Sequence, residues 1–426
     1  MHPAAPQRAV AIAAWCLYDW AYGAFNTVVS TFVVATYFVR AVAPDPATGT
    51  AQWAAAQATA GFAIALLAAP LGAIADSGGR RRVMLALFTG LMVALTASLW
   101  FVRPAREYAS LALVLAGGAT VAFEIATVFY NSMLTEVAPP GRLGRVSGIA
   151  WGMGYAGGLC CLLLCLVLLI DPDPSPLGLN RAEAENVRAT ALLAAAWIAG
   201  FGWPVLVFVP DRSSRRAWGA ALRCGLAELR DVLAEARKSA VLVRFLIARM
   251  LYTDGLTTLF AFGAIYAAGR FGMDAHDVLL LGISLNLTAG LGAIAFAFVE
   301  DRIGPKPTVL TALLCMIVLG CLVLAATERE LFWALSLGLG IFVGPAQAAS
   351  RSLMARLAPQ SEASAHFGLY AISGRVTGFI GPAALGVVTA ATHSQRAGMA
   401  VILLLLATGA SLLMLVRVPT AAATKL

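Results

Sequence analysis

Long apolar runs alternate with short polar segments along almost the whole chain. Each run approaches the roughly 20 residues that an α-helix needs to cross a bilayer, whereas a membrane β-barrel would show short segments of alternating hydrophobicity. The pattern therefore predicts an all-α polytopic membrane protein with twelve transmembrane helices, called spans 1 to 12 below. Their predicted limits are 12–38, 53–75, 83–102, 109–131, 146–170, 190–209, 242–268, 277–299, 308–326, 331–350, 365–391 and 397–416.

Composition supports this class of protein. Of 426 residues, 60% are hydrophobic and only 12% are charged, about half the charged fraction of a soluble protein. The first apolar run follows Arg8 and lacks a small-residue cleavage site, so we expect it to be retained rather than removed as a signal peptide. The sequence has no zinc-ligand spacing, phosphate-binding loop or Ser-His-Asp set. We therefore expect no enzyme activity, no cofactor and no metal.

The placement of charge predicts the topology. With the N-terminus inside, the cytoplasmic segments hold 20 of the 30 Lys and Arg residues and the external loops hold 8. This asymmetry satisfies the positive-inside rule and predicts cytoplasmic termini in a cell inner (plasma) membrane. The net charge of +8 thus reflects topology rather than nucleic-acid binding. We expect a monomer whose partners are the lipid bilayer, a small-molecule solute and a proton.

The chain also divides into two similar halves. Residues 131–158 align without gaps on 351–378, the loop "GAIADSGGRRR" after span 2 matches "FVEDRIGPK" after span 8, and "LYDW" in span 1 matches "LYTD" in span 7. Three matches in the same order predict a duplicated 6+6 architecture, which is typical of secondary transporters. The predicted parts are residues 1–210, a linker at 211–240, and residues 241–426.

The linker carries apolar residues at helical spacing with charged residues on its other faces. This pattern predicts an amphipathic helix at the inner membrane surface. The apolar positions are Trp218, Leu222, Leu226, Leu229 and Leu233, and the charged ones include Arg223, Glu228, Arg230 and Glu235.

The 6+6 plan, with Asp76, Gly79 and Arg81 after span 2, resembles the major facilitator superfamily. More narrowly, "FYNSMLTEVAPPGRLGRVSGIAWGMGYAGG", "FLIARMLYTDG", "SRSLMARLAP" and "FGLYAISGRVTGFIGP" resemble its vacuole-effluxer branch, which includes the fungal autophagy-related amino-acid exporters and bacterial relatives. The segment "YDWAYGAF" also fits, although the branch usually reads close to "ANSAF" where this chain has "AYGAF". The resemblance implies alternating access around a cavity lined by spans 1, 4, 7 and 10.

Polar residues on those four spans are the candidate contacts for a solute or a coupled proton, because charges at this depth are costly and usually face a cavity or a partner. On span 11, Arg375 is a further candidate, since its planar guanidinium matches a carboxylate or phosphate. For the acids and for Arg375, a static ion pair remains the alternative interpretation. The candidates are Tyr18, Asp19, Asn26, Glu124, Tyr130, Asn131, Arg249, Tyr252, Asp254, Gln347 and Arg375, and span 10 also carries Arg351.

The resemblance also implies a gating loop that closes the inner face. In it, loop charges form ion pairs weak enough to break in each transport cycle. The alternative is that these basic residues serve topology only. The predicted gating residues are Asp76, Gly79, Arg80 and Arg81 after span 2, with Asp301 and Gly304 after span 8.

These features together predict a secondary active transporter for a small polar or zwitterionic solute, with an amino acid or small peptide favoured and a proton as the coupled ion. Two alternatives stay open. An exporter of drugs or lipids would carry a broader apolar cavity with fewer fixed charges, and a membrane sensor that transports nothing would be expected to carry a soluble domain.

Overall fold

The computed structural model describes residues 5–172, 177–211 and 218–417, and these residues are almost entirely helical. Within this part of the chain, eleven helices are long and apolar enough to cross a membrane. Spans 1 to 10 and 12 run over Gln7–Val42, Pro46–Gly78, Arg81–Phe101, Arg106–Val137, Pro140–Ile170, Glu185–Phe208, Ala240–Phe271, His276–Ile303, Pro305–Ala325, Arg329–Leu357 and Gln395–Met414. The predicted all-α class is confirmed.

Span 11 differs from the single helix predicted at 365–391. It consists of span 11a, Ala363–Ser373, and span 11b, Ile380–Thr392, with turns over 374–379 between them. Glycines at 374, 378 and 381 weaken the helix there. Pro382 falls in the first turn of span 11b, where its missing N–H leaves no backbone carbonyl unpaired. The break therefore follows from local composition.

Two aspartates cap helices at the opposite end of the bundle from the chain termini. The carboxylate of Asp45 accepts the amides of Ala47 and Thr48 at 3.0 and 2.9 Å, and the Thr48 hydroxyl at 2.6 Å. The hydroxyl and amide of Thr48 lower the pKa of Asp45. Asp274 caps the start of span 8 through the amide of Asp277 at 2.8 Å, which lowers the pKa of Asp274.

We call the bundle end that carries both ends of the described chain the terminus face, and the other end the loop face. The ammonium of Lys306, at the start of span 9, donates to the carbonyls of Met414 and Val416 at 2.9 and 2.6 Å. The loop between spans 8 and 9 thus lies beside the end of span 12 on the terminus face.

The two halves meet tightly towards the terminus face, where glycines allow helices to cross closely. Span 5 crosses span 8 at Gly148, where a Cβ would lie 2.6 Å from the Ala293 carbonyl oxygen. Span 2 crosses span 11a at Gly368, where a Cβ would lie 2.5 Å from the Cα of Ala69. The halves are therefore closed against each other at this end.

The linker helix, Trp218–Lys238, lies across the junction of the two halves. Its Val232 packs with Ala73 of span 2 and Ala365 of span 11a. Gly225 of the linker helix lies so close to span 2 that a Cβ at this position would be 2.7 Å from the Cα of Ile74. The side chains of Trp218, Leu222, Leu226 and Glu228, part of the predicted amphipathic pattern, lie outside the part of the chain that the structure describes.

Candidate functional site

A fully buried ion pair between Asp19 of span 1 and Arg351 of span 10 joins the two halves. The Nη1 of Arg351 donates to Asp19 Oδ2 at 2.9 Å, and neither side chain is exposed. The remaining guanidinium nitrogens also have partners, because Nε donates to the Ser147 hydroxyl at 2.9 Å and Nη2 to the Ser147 carbonyl at 2.7 Å. Trp15 and Trp151 face the guanidinium, each with its ring centre 4.8 Å from Cζ.

One oxygen of this pair stays unsatisfied, since Asp19 Oδ1 has no hydrogen-bond partner among the described residues. Asn131, which aligns with Arg351 in the internal repeat, places its side-chain oxygen 3.4 Å from Arg351 Nη1.

The candidate tyrosines have partners within their own half. The hydroxyl of Tyr18 pairs with Thr89 at 2.7 Å, and that of Tyr130 donates to the Trp15 carbonyl at 3.0 Å. In the other half, Tyr252 pairs with Ser350 at 2.6 Å.

A second ion pair between the halves is partly exposed. The guanidinium of Arg375, in the break of span 11, pairs with the Glu124 carboxylate of span 4, and their side chains are 38% and 16% exposed. Asn26 is exposed on span 1, two turns beyond Asp19 on the same helix face. On span 10, Gln347 is half-buried one turn before Arg351. Glu124 and Arg375 thus form a partly exposed contact between the halves, on the loop-face side of the buried pair.

The two charges of span 7 both bind span 11. Nη1 of Arg249 donates to the Tyr370 carbonyl at 2.6 Å and to the Ser373 hydroxyl at 2.7 Å, and its guanidinium stacks on the Tyr370 ring at 3.4 Å. Asp254 is buried, and its Oδ2 accepts the amide of Gly381 at 2.9 Å. A static ion pair with Arg249 or Arg375 was the alternative interpretation of the three acids. In the structure Glu124 pairs with Arg375, whereas Asp19 pairs with Arg351 and Asp254 accepts the Gly381 amide.

Asp19 and Asp254 do not occupy equivalent positions in the two halves. Aligning "LYDW" with "LYTD" matches Tyr18 to Tyr252 and therefore places Thr253, not Asp254, opposite Asp19. One residue along a helix is about 100° of rotation. Asp19 accordingly faces the other half, whereas Asp254 faces span 11b of its own half.

The predicted gating loop lies in the closed terminus face. Arg81 is buried there, donating to Asp76 Oδ1 at 2.7 Å, to Glu136 Oε1 at 2.8 Å and to the Gln360 carbonyl of the other half at 3.0 Å. The second oxygen of Asp76 accepts the amide of Ala365, also from the other half, at 3.0 Å. These contacts hold span 2 to the start of span 11a.

The loop after span 8 repeats part of this arrangement. Asp301 Oδ1 accepts the amide of Arg145 at 3.1 Å, near the start of span 5 in the other half. Arg145 and Ala365 are equivalent positions of the internal repeat, each the third residue of its helix. Each half thus places a loop carboxylate at the N-terminus of a helix in the other half, where the helix dipole favours negative charge.

The remaining gating residues shape these loops. Gly79 and Gly304 have φ of 60° and 89°, a backbone region that favours glycine. Arg80 is half-buried, and its amide donates to the Ala75 carbonyl at 3.0 Å. The repeat is incomplete, because Lys306 at the position of Arg81 binds the end of span 12 instead.

Sequence reasoning missed a buried acid, Glu300, in this closed face. It lies at the junction of spans 5, 8 and 10 and accepts a hydrogen bond from the Ser352 hydroxyl. A Cβ at Gly144 would lie 2.8 Å from its Oε1, so the helices leave little room around it. The sequence feature that could have identified Glu300 is its position directly before the predicted gating residue Asp301 in "VEDRIG".

Comparison with known proteins agrees with this architecture. Residues 141–425 match the family model described as "Vacuole effluxer Atg22 like". The chain belongs to this family. It is 27% identical over 401 residues to the "Uncharacterized MFS-type transporter YxiO" of Bacillus subtilis, which covers 93% of this chain and 92% of that protein. Against Autophagy-related protein 22 of Candida glabrata the identity is 25%, over 61% of this chain and about half (53%) of the fungal protein.

The solved structures give the fold of this effluxer-family member. FucP, a major facilitator superfamily transporter solved in the outward conformation, superposes with a TM-score of 0.70 at 14% identity, covering 96% of this chain and 99% of FucP. The predicted superfamily and branch are confirmed. The protein is a multi-pass membrane protein and a secondary transporter of the major facilitator superfamily, not an enzyme.

Proposed function

We propose that this effluxer-family protein carries a small zwitterionic solute, an amino acid or small peptide, by proton-coupled alternating access. The observation that supports it is the partly exposed Glu124–Arg375 pair, which offers one negative and one positive group side by side where the two halves meet. The guanidinium binds the solute carboxylate bidentately. The carboxylate of Glu124 binds the solute ammonium, so the solute replaces each residue's present partner.

The geometry separates the three candidate acids. The carboxylates of Asp19 and Asp254 are buried, the first against Arg351 and the second against the amide of Gly381. Glu124 is the accessible acid beside Arg375. Asp19 remains the candidate for the coupled proton.

The coupling follows from the burial of Asp19. When the terminus face opens, span 10 of one half leaves span 1 of the other, and Arg351 leaves Asp19. A buried carboxylate without its cation costs about 3–5 kcal/mol, so opening favours a protonated Asp19. Reclosure brings Arg351 back and releases the proton, which links proton movement to the conformational cycle.

The closed terminus face corresponds to an outward-open carrier if both termini are cytoplasmic, as the positive-inside rule predicts. We propose that the protein works in this orientation in the plasma membrane, as a monomer. FucP in the outward conformation has the same fold.

A thermal-shift screen of the purified protein against amino acids, dipeptides and sugars tests the proposal. A solute that binds the folded state must raise the unfolding temperature with increasing concentration. We expect a shift with at least one amino acid or dipeptide, and none with its N-acetyl or amide analogue, each of which lacks one charge. A shift with the uncharged sugars, and none with any amino acid or peptide at millimolar concentration, would exclude a zwitterionic solute.

A further inference from the structure

The break in span 11 is held from span 7 at both ends. At the end of span 11a, Arg249 donates to the Tyr370 carbonyl and the Ser373 hydroxyl. At the start of span 11b, Asp254 accepts the amide of Gly381. A cation thus meets the carbonyl end of one helix and a carboxylate meets the amide end of the next, which is the favourable sign at each helix dipole.

Both ends of the break are shaped to receive these side chains. A Cβ at Gly374 would lie 3.0 Å from Arg249 Nη1, and a Cβ at Gly381 would lie 3.0 Å from Asp254 Oδ1 and 2.2 Å from Thr258 Oγ1. Any larger residue at Gly381 would displace the Asp254 carboxylate or the Thr258 hydroxyl. Glycine at these two positions therefore admits the charged groups of span 7 to the backbone.

The segment between the two ends is also tied to span 7. The Thr377 hydroxyl donates at 3.3 Å to the carbonyl of Met250, the residue that directly follows Arg249. Span 7 is one uninterrupted helix over Ala240–Phe271, so Arg249, Met250 and Asp254 hold the four hydrogen bonds in a fixed relation. The break therefore has a rigid support.

The break carries Arg375 to the solute site. Arg375 directly follows Gly374, and from there its guanidinium reaches Glu124 in the other half. If span 11 continued as one helix through 374–379, the direction of the Arg375 side chain would be set by the helix instead of by the break. The position of Arg375 thus depends on the two ends that span 7 holds.

We propose that Arg249 and Asp254 are positioning residues that hold the two ends of the interrupted span 11 and so place Arg375 in the solute site. They act through span 11 and contact no solute themselves. The proposal rests on the proposed function for the role of Arg375, while the bracing of the break can be tested separately.

Amide hydrogen exchange, read by mass spectrometry on the purified protein, tests the brace without any solute. In Arg249→Met and Asp254→Leu, we expect residues 374–381 to exchange at least tenfold faster. Asp254→Asn keeps a side-chain oxygen to accept the Gly381 amide, so its exchange should stay close to that of the unmodified protein. Arg244→Met and Thr257→Val, at exposed positions of the same helix, are the matched controls. Unchanged exchange in both Arg249→Met and Asp254→Leu would overturn the proposal.

A double-mutant cycle tests the positioning of Arg375. With the solute identified by thermal shift, we expect Arg249→Met to raise KM at least tenfold while kcat changes less. In an Arg375→Met background the same change should add nothing, because no guanidinium is left to misplace. Equal rises in KM in both backgrounds would show that Arg249 acts independently of Arg375 and would overturn the proposal.

The two measurements separate the possible failures. If the unmodified protein shows no solute binding, the proposed function fails, and the exchange experiment still decides whether span 7 braces the break. Arg249→Lys provides a milder variant if the larger changes prevent folding. Faster exchange in Arg249→Lys, which keeps the charge but not the planar stack on Tyr370, would support the same brace, and unchanged exchange in Arg249→Lys would argue against it.

Discussion

Asp19 of span 1 and Arg351 of span 10 form an ion pair between the two halves, 2.9 Å apart and fully buried. Burying two charges costs roughly as much as their attraction returns, so such a pair is weak grounds for stability. Removing one partner is costly, however, because the remaining charge would stay buried alone. Under the proposed function, the halves separate only when a proton can replace the arginine at Asp19.

Arg351→Met should destabilise the protein by about 3–5 kcal/mol at neutral pH, since it leaves the Asp19 carboxylate buried without a cation. Protonation removes that charge, so the deficit should shrink as the pH falls. Thermal unfolding in detergent at several pH values measures both effects. Arg356→Met, an exposed change on the same span, is the control and should stay within about 0.5 kcal/mol of the unmodified protein. Equal losses in the two variants, or a loss independent of pH, would contradict the role of the pair.

Asp76→Ala and Asp301→Ala should each open the terminus face, because both acids accept an amide at the start of a helix in the other half and alanine cannot. The readout is maleimide labelling of Ser364→Cys, at a buried position of that junction, with the seven native cysteines replaced by alanine. We expect faster labelling in both variants.

Asp45→Ala is the matched control for this experiment, since Asp45 caps a helix of its own half on the loop face. It should lower stability by about 0.5–2 kcal/mol without changing the labelling rate. Labelling that rises equally in all three variants would show general loosening rather than gate opening.

Gly148→Ala should push spans 5 and 8 apart, because the new Cβ would lie 2.6 Å from both the Ala293 carbonyl oxygen and the Ala297 Cβ. The same labelling assay should report an opened terminus face. Gly61→Ala is the control, since nothing lies within 4 Å of its Cβ position, and it should stabilise the protein by about 0.5–1 kcal/mol through helix propensity. Identical behaviour of the two variants would remove close packing as the reason for Gly148.

Glu300→Gln tests the buried acid of the same face. The amide keeps an oxygen for the Ser352 hydroxyl but carries no charge, so the closed state no longer requires a buried carboxylate. We expect slower labelling of Ser364→Cys than in the unmodified protein. Faster labelling would mean that the charge of Glu300 holds the face shut.

The sequence predicted the features that depend on local pattern. The spans follow from apolar runs, and the matching halves and loop carboxylates follow from repeated motifs. The break at 374–379 was missed because its flanking segments are as apolar as a continuous span. Arg351 and Asp19 are 332 residues apart, and no helical period relates them. Asp254 lies one residue beyond the position equivalent to Asp19 in the internal repeat, and its side chain therefore points towards span 11b. This direction becomes visible only when the helices are packed together.

The decisive experiment is uptake of a labelled amino acid, chosen by thermal shift, into proteoliposomes under an imposed pH gradient. The unmodified protein and Arg103→Met, an exposed change on the loop face, should accumulate the amino acid above its external concentration until the gradient is collapsed. Glu124→Gln and Arg375→Met should lose at least 90% of this uptake. Unchanged accumulation in both Glu124→Gln and Arg375→Met, or uptake by the unmodified protein that ignores the pH gradient, would contradict a proton-coupled carrier that binds its solute between these two residues.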